Sequence, residues 1–390
     1  MLDMYVTYMC NFMVGILVPP IFLSWIFIKT TAIISRRLYC SLLEFVLSIF
    51  MRVFLFFFYY VSIDKLLVYG DHDFSKYPNE RAIIISNHLS TADWFVVSLL
   101  LTKQGNIGRT KFVMHKNLKY IPLCGFFLAQ DSCLFVDRSN FKENAAIHIL
   151  KEIQQMASDV WMVIYPEGRR YNPEHVDYIK SSREFAMQMG LKPYQHHLTP
   201  RIRGFRLLVQ HLRHYVDSLY DMTVVYADAN GTPKDHNKRV PQLTNWLGNK
   251  HSIHVHVKRF PIDTVPTDPE ELQQWLYERF QIKDRFIENL QNDFHQHCGD
   301  FADQNPHMVV SSLSEASLIE RIRQCMPLEM NNAVEKWTHL TLSSFLPSVI
   351  FLYGFTLFWL FGCGWYGPIS FILFSIFSTI LSEMYVHYFV

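Results

Sequence analysis

Hydrophobic and polar positions divide the 390-residue chain into three zones. From Met4 to Ile28 no charged residue occurs, and Val, Ile, Leu, Phe and Trp dominate. Roughly 20 apolar residues span a hydrocarbon core, so this run predicts a membrane helix, kinked at Pro19-Pro20. Asp3 stands where a signal peptide carries a basic segment, which argues against a cleaved leader. A second apolar run, Ser41 to Ile63, follows Arg36-Arg37 and is interrupted by Glu44 and Arg52. Those charges predict a weaker span, or a helix lying partly in the interface. Trp337 to Ser382 contains no Asp, Glu, Lys or Arg and is long enough for two spans. Gly362 to Pro368 reads as the turn between them. Residues 1–63 and 337–390 are therefore expected to form two membrane hairpins. The positive-inside rule places Arg36-Arg37 in the cytoplasm. A full crossing would then put the middle of the chain in the lumen, whereas a re-entrant N-terminal hairpin leaves both on one side.

Between these hairpins the pattern changes to that of a domain with alternating strands and helices. Short apolar, β-branched runs at Arg81–Ser86, Lys111–Met114, Cys133–Val136, Val160–Tyr165, Met222–Tyr226 and Ile253–Val257 predict strands. Helical spacing follows at Ser90–Leu101 and Asn140–Met156. The expected fold class is α/β, a mixed and largely parallel sheet flanked by helices, over residues 64–300. Residues 301–336 are polar and read as a connector to the C-terminal hairpin.

Composition narrows the function classes. Charged residues make up 18% of the chain against roughly 25% in ordinary soluble domains, which fits a globular domain with a minority of membrane-embedded chain. Lys+Arg total 36 and Asp+Glu 35, a formal charge of +1, so no global field points at nucleic acid. Seven cysteines without a C-x-x-C pair favour neither a disulfide scaffold nor a zinc finger, and suit a reducing compartment.

Three loops that leave predicted strand ends carry candidate chemistry, where α/β sheets place their active sites. The first, Asn87-His88-Leu89-Ser90-Thr91-Ala92-Asp93-Trp94, spaces a histidine and an acid as H-x4-D. On one regular helix these side chains would lie roughly 140° apart. They can meet if His88 sits in the loop and Asp93 in the first turn. A carboxylate on one imidazole nitrogen leaves the other as a general base. The bland alternative is a capping box, Ser90-x-x-Asp93, with Asp93 bonded to backbone N–H groups. The second loop, Phe135-Val136-Asp137-Arg138-Ser139, and the third, Tyr165-Pro166-Glu167-Gly168-Arg169-Arg170-Tyr171, supply arginines whose forked donors match phosphate oxygens. Gly168 permits close backbone approach. Each arginine alone would more often be a solvated ion pair; their order favours chemistry.

The three blocks together resemble the 1-acyl-sn-glycerol-3-phosphate (lysophosphatidate) acyltransferase family, and within it the eukaryotic epsilon-type members. The resemblance covers about Leu66 to Val257. It implies that His88 is the base and Asp93 its orienting partner. It also implies that Arg138, Glu167, Gly168, Arg169 and Arg170 bind the acceptor, and that Leu198-Thr199-Pro200-Arg201, with Pro200, lies near the acyl chain. Arg169 departs from the family's usual Glu-Gly-Thr-Arg and leaves the acceptor headgroup open. The implied reaction moves an acyl group from acyl-CoA to the sn-2 hydroxyl of a lysophospholipid at the lipid bilayer. No cofactor or metal is expected, because CoA thiolate already leaves well, and no nucleic acid. The rival acceptors are lysophosphatidylglycerol, lysophosphatidylinositol and lysocardiolipin, and a non-catalytic membrane scaffold is the rival class. The absence of a G-x-S-x-G elbow counts against a serine hydrolase. The family implies the endoplasmic reticulum membrane, with the mitochondrial membrane as alternative.

Other residues read as background. His251, His254 and His256 resemble a metal run, but without a third ligand they are expected on a solvated strand face, like His196-His197 in a solvated loop. Cys124 and Cys133 read as packing residues. Lys116 and Lys119 are candidates for CoA or phosphate contact. Oxyanion donors are expected from the first turn of the Ser90–Leu101 helix.

Overall fold

The structure, a computed structural model, describes residues 16–71, 73–102, 107–121, 124–138, 140–155, 159–228, 233–234, 238–246, 250–304, 334–336 and 342–389. Its centre is one sheet of eight strands: β1 (Ile63–Gly70), β2 (Ala82–Ser86), β3 (Thr110–His115), β4 (Leu134–Val136), β5 (Trp161–Ile164), β6 (Ser218–Ala227), β7 (His251–Pro261) and β8 (Val334–Lys336). Their spatial order is β4-β3-β5-β2-β6-β7-β1-β8. The first five in that order run parallel. β7 is antiparallel to β6, β1 is parallel to β7, and β8 is antiparallel to β1. The sheet is thus mixed and mostly parallel, as the alternation of strands and helices predicts.

Helices cover both faces. They are α1 (Val18–Thr30), α2 (Arg36–Ser62), α3 (Asp93–Leu101), α4 (Cys124–Gln130), α5 (Glu143–Gln155), α6 (Val176–Gln188), α7 (Ile202–Leu212), α8 (Pro269–Gln304), α9 (Leu342–Leu357) and α10 (Tyr366–Phe389). β2 shows why its sequence is an unbroken apolar run. Ala82 and Ile84 join the core made with α2 and α3, while Ile83 and Ile85 join the one made with α5, α7 and α8. A strand buried on both faces needs apolar residues at every position.

All six expected strands are present, and the two expected helices start at Asp93 and Glu143. β1 was not expected: it follows the apolar helix without an intervening loop, and Asp64-Lys65 leave only the short apolar run Leu66–Tyr69 to mark it. The stretch read as a connector supplies β8, and α8 runs past residue 300 to Gln304. Pro19-Pro20 do not kink a helix; they occupy the first positions of α1, where a missing N–H costs nothing. The part of the expected span before residue 16 lies outside the described residues.

Among the described residues, three helices are long and apolar enough to cross a membrane: Arg36–Ser62, Phe345–Gly362 and Tyr366–His387. The last two are joined by a turn beginning at Cys363, inside the stretch expected for it. The two hairpins pack on each other, with Phe57 against Tyr353 and Phe22 against Phe374, both at 6.2 Å between ring centres.

The histidines of β7 overturn an expectation. His251, His254 and His256 are buried, between 0% and 5% exposed, instead of lying on a solvated face. β7 sits inside the sheet, and α8 packs over it through Phe286, whose ring lies 5.4 Å from that of His256. His254 Nδ1 pairs with the Tyr69 hydroxyl at 2.6 Å, and His251 Nε2 donates to the Trp246 carbonyl at 3.1 Å. His196 and His197 are buried too. Burial lowers the His251 imidazole to about 4 and that of His256 to about 3. Both rings are neutral when folded and take up protons when unfolded below about pH 6.5. Their contribution is therefore intact above pH 6.5 and is lost as pH falls towards 4, at about 1.4 kcal/mol per pH unit for each ring. Melting curves between pH 7.5 and 4.5 should show the midpoint falling below 6.5, with His256→Gln flattening that fall.

Candidate active site

The parallel strands β4, β3, β5 and β2 end on one side of the sheet, and the loops that follow them carry the three sequence blocks. After β2 the chain runs through His88 into α3, whose first residue is Asp93. This places the histidine in the loop and the acid at the helix start. His88 Nδ1 lies 2.7 Å from Asp93 Oδ2. The same oxygen accepts the backbone N–H groups of Leu89 at 2.8 Å and Ser90 at 2.9 Å, and Oδ1 accepts the Tyr226 hydroxyl at 2.6 Å. Asp93 therefore bonds the His88 ring and two backbone N–H groups at once, a geometry compatible with both readings of its role.

Asp93 is fully buried and the His88 side chain is 23% exposed. Burial, with the Asp93 charge beside it, holds the Tyr226 phenol well above its ordinary range, so it donates. With Asp93 accepting from every direction, Nδ1 of His88 carries the proton and Nε2 is the bare nitrogen. The ring stacks on Tyr165, centres 4.4 Å apart and planes at 22°. Its backbone carbonyl accepts the Tyr171 N–H at 2.8 Å.

Glu167 is buried, and its two oxygens are occupied. Oε1 accepts the His88 N–H at 2.6 Å and Oε2 the Leu198 N–H at 2.7 Å. Burial pushes its carboxyl well above the usual range, against the pull of those two N–H groups. Glu167, which the resemblance places among acceptor-binding residues, ties the first loop to the Leu198–Arg201 segment. Arg201 N–H completes the tie, donating to Pro166 O at 2.8 Å, and Pro200 is buried beside it.

Gly168 has φ +70° and closes a turn by donating to Tyr165 O at 2.9 Å. That backbone conformation costs a non-glycine residue roughly 1–2 kcal/mol. A Cβ there would stand 3.8 Å from Arg138 Nε, so the bare face of the turn is where Arg138 crosses. Partial burial and the neighbouring charges of Arg169 and Arg170 lower the Arg138 guanidinium. Among the described residues no carboxylate lies within ion-pair distance of Arg138, Arg169 or Arg170. Arg169 stacks over Tyr178 at 4.2 Å, and Arg170 Nη1 donates to Gln242 Oε1 at 3.3 Å. His115, at the end of β3, is lowered by burial and by the same arginines. Lys116 is engaged with Asp137, and Lys119 with the Tyr120 ring at 5.1 Å. Cys133 is buried in the core, as a packing residue; the Cys124 side chain lies outside the described residues.

The family described as "Acyltransferase" matches residues 65–206, and "Acyltransferase C-terminus" matches 246–320. The 1-acyl-sn-glycerol-3-phosphate acyltransferase epsilon of Mus musculus is 33% identical over 273 residues, covering 69% of this chain and 73% of that protein. The chain belongs to the 1-acyl-sn-glycerol-3-phosphate acyltransferase family. This acyltransferase is also similar to 1-acyl-sn-glycerol-3-phosphate acyltransferase 2 of Brassica napus, 27% identical over 57% of this chain and 55% of the relative. Lysocardiolipin acyltransferase 1 of Gallus gallus is 31% identical over 56% of each.

Sequence reading of the acyltransferase missed four residues of this site. Tyr165 stands inside a quoted block, and its place at the end of β5, two residues before the block's acid, was the available signal. Tyr226, Leu198 as a partner of Glu167, and Gln242 lie too far along the chain for spacing to reveal. The N–H groups of residues 88 to 93 are each already bonded, to Glu167, Asp93, Asp93, Gln242, Ser90 Oγ and Ser90 O in turn, so an oxyanion donor from the first turn of α3 would have to come from beyond Asp93.

Tyr226→Phe strands Asp93 Oδ1 without its hydroxyl donor. Leaving a buried charged acceptor unsatisfied costs about 1–3 kcal/mol. A lower melting midpoint and a reduced kcat, with an acceptor KM close to that of the parent, are expected from melting curves and steady-state assays.

Proposed function

We propose that this acyltransferase moves an acyl group from acyl-CoA to the sn-2 hydroxyl of lysophosphatidate, giving phosphatidate and free CoA. The supporting observation is the pairing of a tautomer-locked His88 with three arginines that have no carboxylate nearby. His88 Nε2 takes the hydroxyl proton as the oxygen attacks the thioester carbonyl. The imidazolium that forms is stabilised by Asp93. The C–S bond then breaks, and the departing CoA thiolate takes the proton back.

Three neighbouring guanidinium groups without an ion-pair partner among the described residues suit a phosphomonoester, which carries about −1.5 to −2 charges at pH 7. The headgroups of lysophosphatidylglycerol and lysophosphatidylinositol are phosphodiesters, with one charge. Arg138 and Arg170 hold the phosphate with forked donors, and Arg169 adds charge from the rim. Gly168 gives them a clear face to cross. The Pro200 segment, tied to the base through Glu167, lies towards the acyl chain. The apolar helices keep the site at the bilayer, so that neither lipid has to leave it at about 0.8 kcal/mol per CH₂. The endoplasmic reticulum membrane is the proposed compartment; fractionation against mitochondrial markers tests that.

Oleoyl-CoA assays with purified protein across lysophosphatidate, lysophosphatidylglycerol, lysophosphatidylinositol and lysocardiolipin should give the highest kcat/KM with lysophosphatidate. Acylation of lysocardiolipin alone would move the reading towards the activity that the Gallus gallus relative's name carries. His88→Ala should lower kcat about 10²–10⁴-fold. Arg138→Ala should raise the acceptor KM about tenfold or more, the loss of one charge-assisted hydrogen bond.

A further inference from the structure

The catalytic loop is clamped by a segment that lies between the two family-matched stretches, at Pro241 to Leu243. Ser90 Oγ donates to Pro241 O at 2.5 Å, and the Leu243 N–H donates to Thr91 Oγ1 at 2.7 Å. Between them stands Gln242, 8% exposed. Its Oε1 accepts from Thr91 N–H at 3.0 Å, Thr91 Oγ1 at 3.2 Å and Arg170 Nη1 at 3.3 Å. Its Nε2 donates to Val240 O at 3.1 Å and Leu89 O at 3.4 Å. Backbone donors on one side and carbonyls on the other allow only one orientation of the amide. The backbone is fixed as well, since Gln242 N–H donates to Asn245 Oδ1 at 2.7 Å.

From this geometry we propose that Gln242 is a positioning residue that sets the catalytic loop and Arg170 in register with each other. A primary amide is suited to both tasks. Its oxygen accepts from the loop and from the guanidinium, while its nitrogen returns a donor to the same loop. The Arg170 arm rests on the headgroup role proposed above; the loop arm does not. Arg170 has no carboxylate partner among the described residues, so Gln242 is the protein group that fixes its direction while leaving its charge uncancelled for an anionic ligand. A glutamate at this place would hold the arginine equally well but would cancel that charge and face two carbonyls without a donor.

The test uses the full-length protein with oleoyl-CoA and lysophosphatidate as probes. Q242M keeps the length of the side chain and removes all its hydrogen bonds. It should raise the acceptor KM and lower kcat, each about tenfold, with the oleoyl-CoA KM within about twofold of the parent. Q242E retains the acceptor side but sets a negative charge against Arg170, so it should raise the acceptor KM about tenfold and lower kcat, and parental values in this variant overturn the proposal if Q242M does not fold. In an R170A background Q242M should raise KM no further, though its kcat loss persists. A residue that only supported the fold would lower the melting midpoint and the active fraction without moving KM. Parental KM and kcat in folded Q242M overturn the proposal, as do KM effects of Q242M and R170A that multiply. If R170A alone leaves the acceptor KM unchanged, the headgroup role of Arg170 falls and takes the Arg170 arm with it. The kcat of Q242M then decides the loop arm by itself.

Discussion

A carboxylate with no exposure to water is expensive to keep unless its lone pairs are filled. Asp93 meets that demand with four donors: the His88 ring, two backbone N–H groups and a phenol from β6. This arrangement accounts for most of the site. Because every direction around the carboxylate is taken, the imidazole has one tautomer and one orientation. Because two of the donors belong to the loop itself, the loop cannot relax without breaking the contact that orients its own base. Tyr226 extends the dependence into the sheet. Any shift of β6 relative to β2 would reach His88 through that hydroxyl and through its neighbour Asn87, whose side chain donates to the Val224 carbonyl at 2.9 Å and accepts the Val224 N–H at 2.8 Å.

The rest of the loop follows the same logic of occupied donors. Glu167 takes the His88 N–H, Gln242 takes Thr91, and Ser90 takes Ala92 through its own hydroxyl. Such a loop is preorganised, since little reorganisation remains when substrate arrives. The cost is that none of these N–H groups is free to meet a developing oxyanion. In this loop the backbone donors of residues 88–93 serve rigidity. In the proposed reaction, the charge developing on the carbonyl oxygen would be met from outside residues 88–93.

How much of this was legible in the sequence depended on range. β2 and β5 were plain because a strand buried on both faces is apolar throughout. The His88–Asp93 pair was legible as spacing plus a strand end, although spacing alone could not separate a base-orienting carboxylate from a capping one. The two readings concern different bonds of one carboxylate, the His88 ring for the first and the Leu89 and Ser90 N–H groups for the second. Residue type misled at His251, His254 and His256: alternation on a strand gives the face, not whether a helix will cover it, and α8 does. At Glu167 the resemblance implied a place in the acceptor site, and the hydrogen bonds that the residue makes within the protein were out of reach of the sequence. Its partners are backbone N–H groups, one of them 79 residues away, and backbone donors leave no mark on a sequence.

The charges that interrupt the apolar run of α2 become intelligible once its surroundings are known. Glu44 is 4% exposed and lies 3.7 Å from Arg109 Nε, and Arg109 is held in turn by Asp159 at 2.8 Å. At the start of the helix Arg36 meets Glu152 of α5 at 2.7 Å, and at its end the chain enters β1 directly. Phe54 and Phe58 pack on Trp94 and Phe95 of α3. A helix of 27 residues is about 40 Å long. If α2 stood off the domain across a bilayer, its first and last residues could not both touch the α/β domain. It lies along the domain instead, with Leu38, Phe45 and Tyr60 exposed on its outer side. In that position Glu44 serves as a pin between helix and sheet domain. Arg36 is engaged by the same domain that the helix feeds, so placing Arg36-Arg37 in the cytoplasm requires no transfer of that domain to the other side.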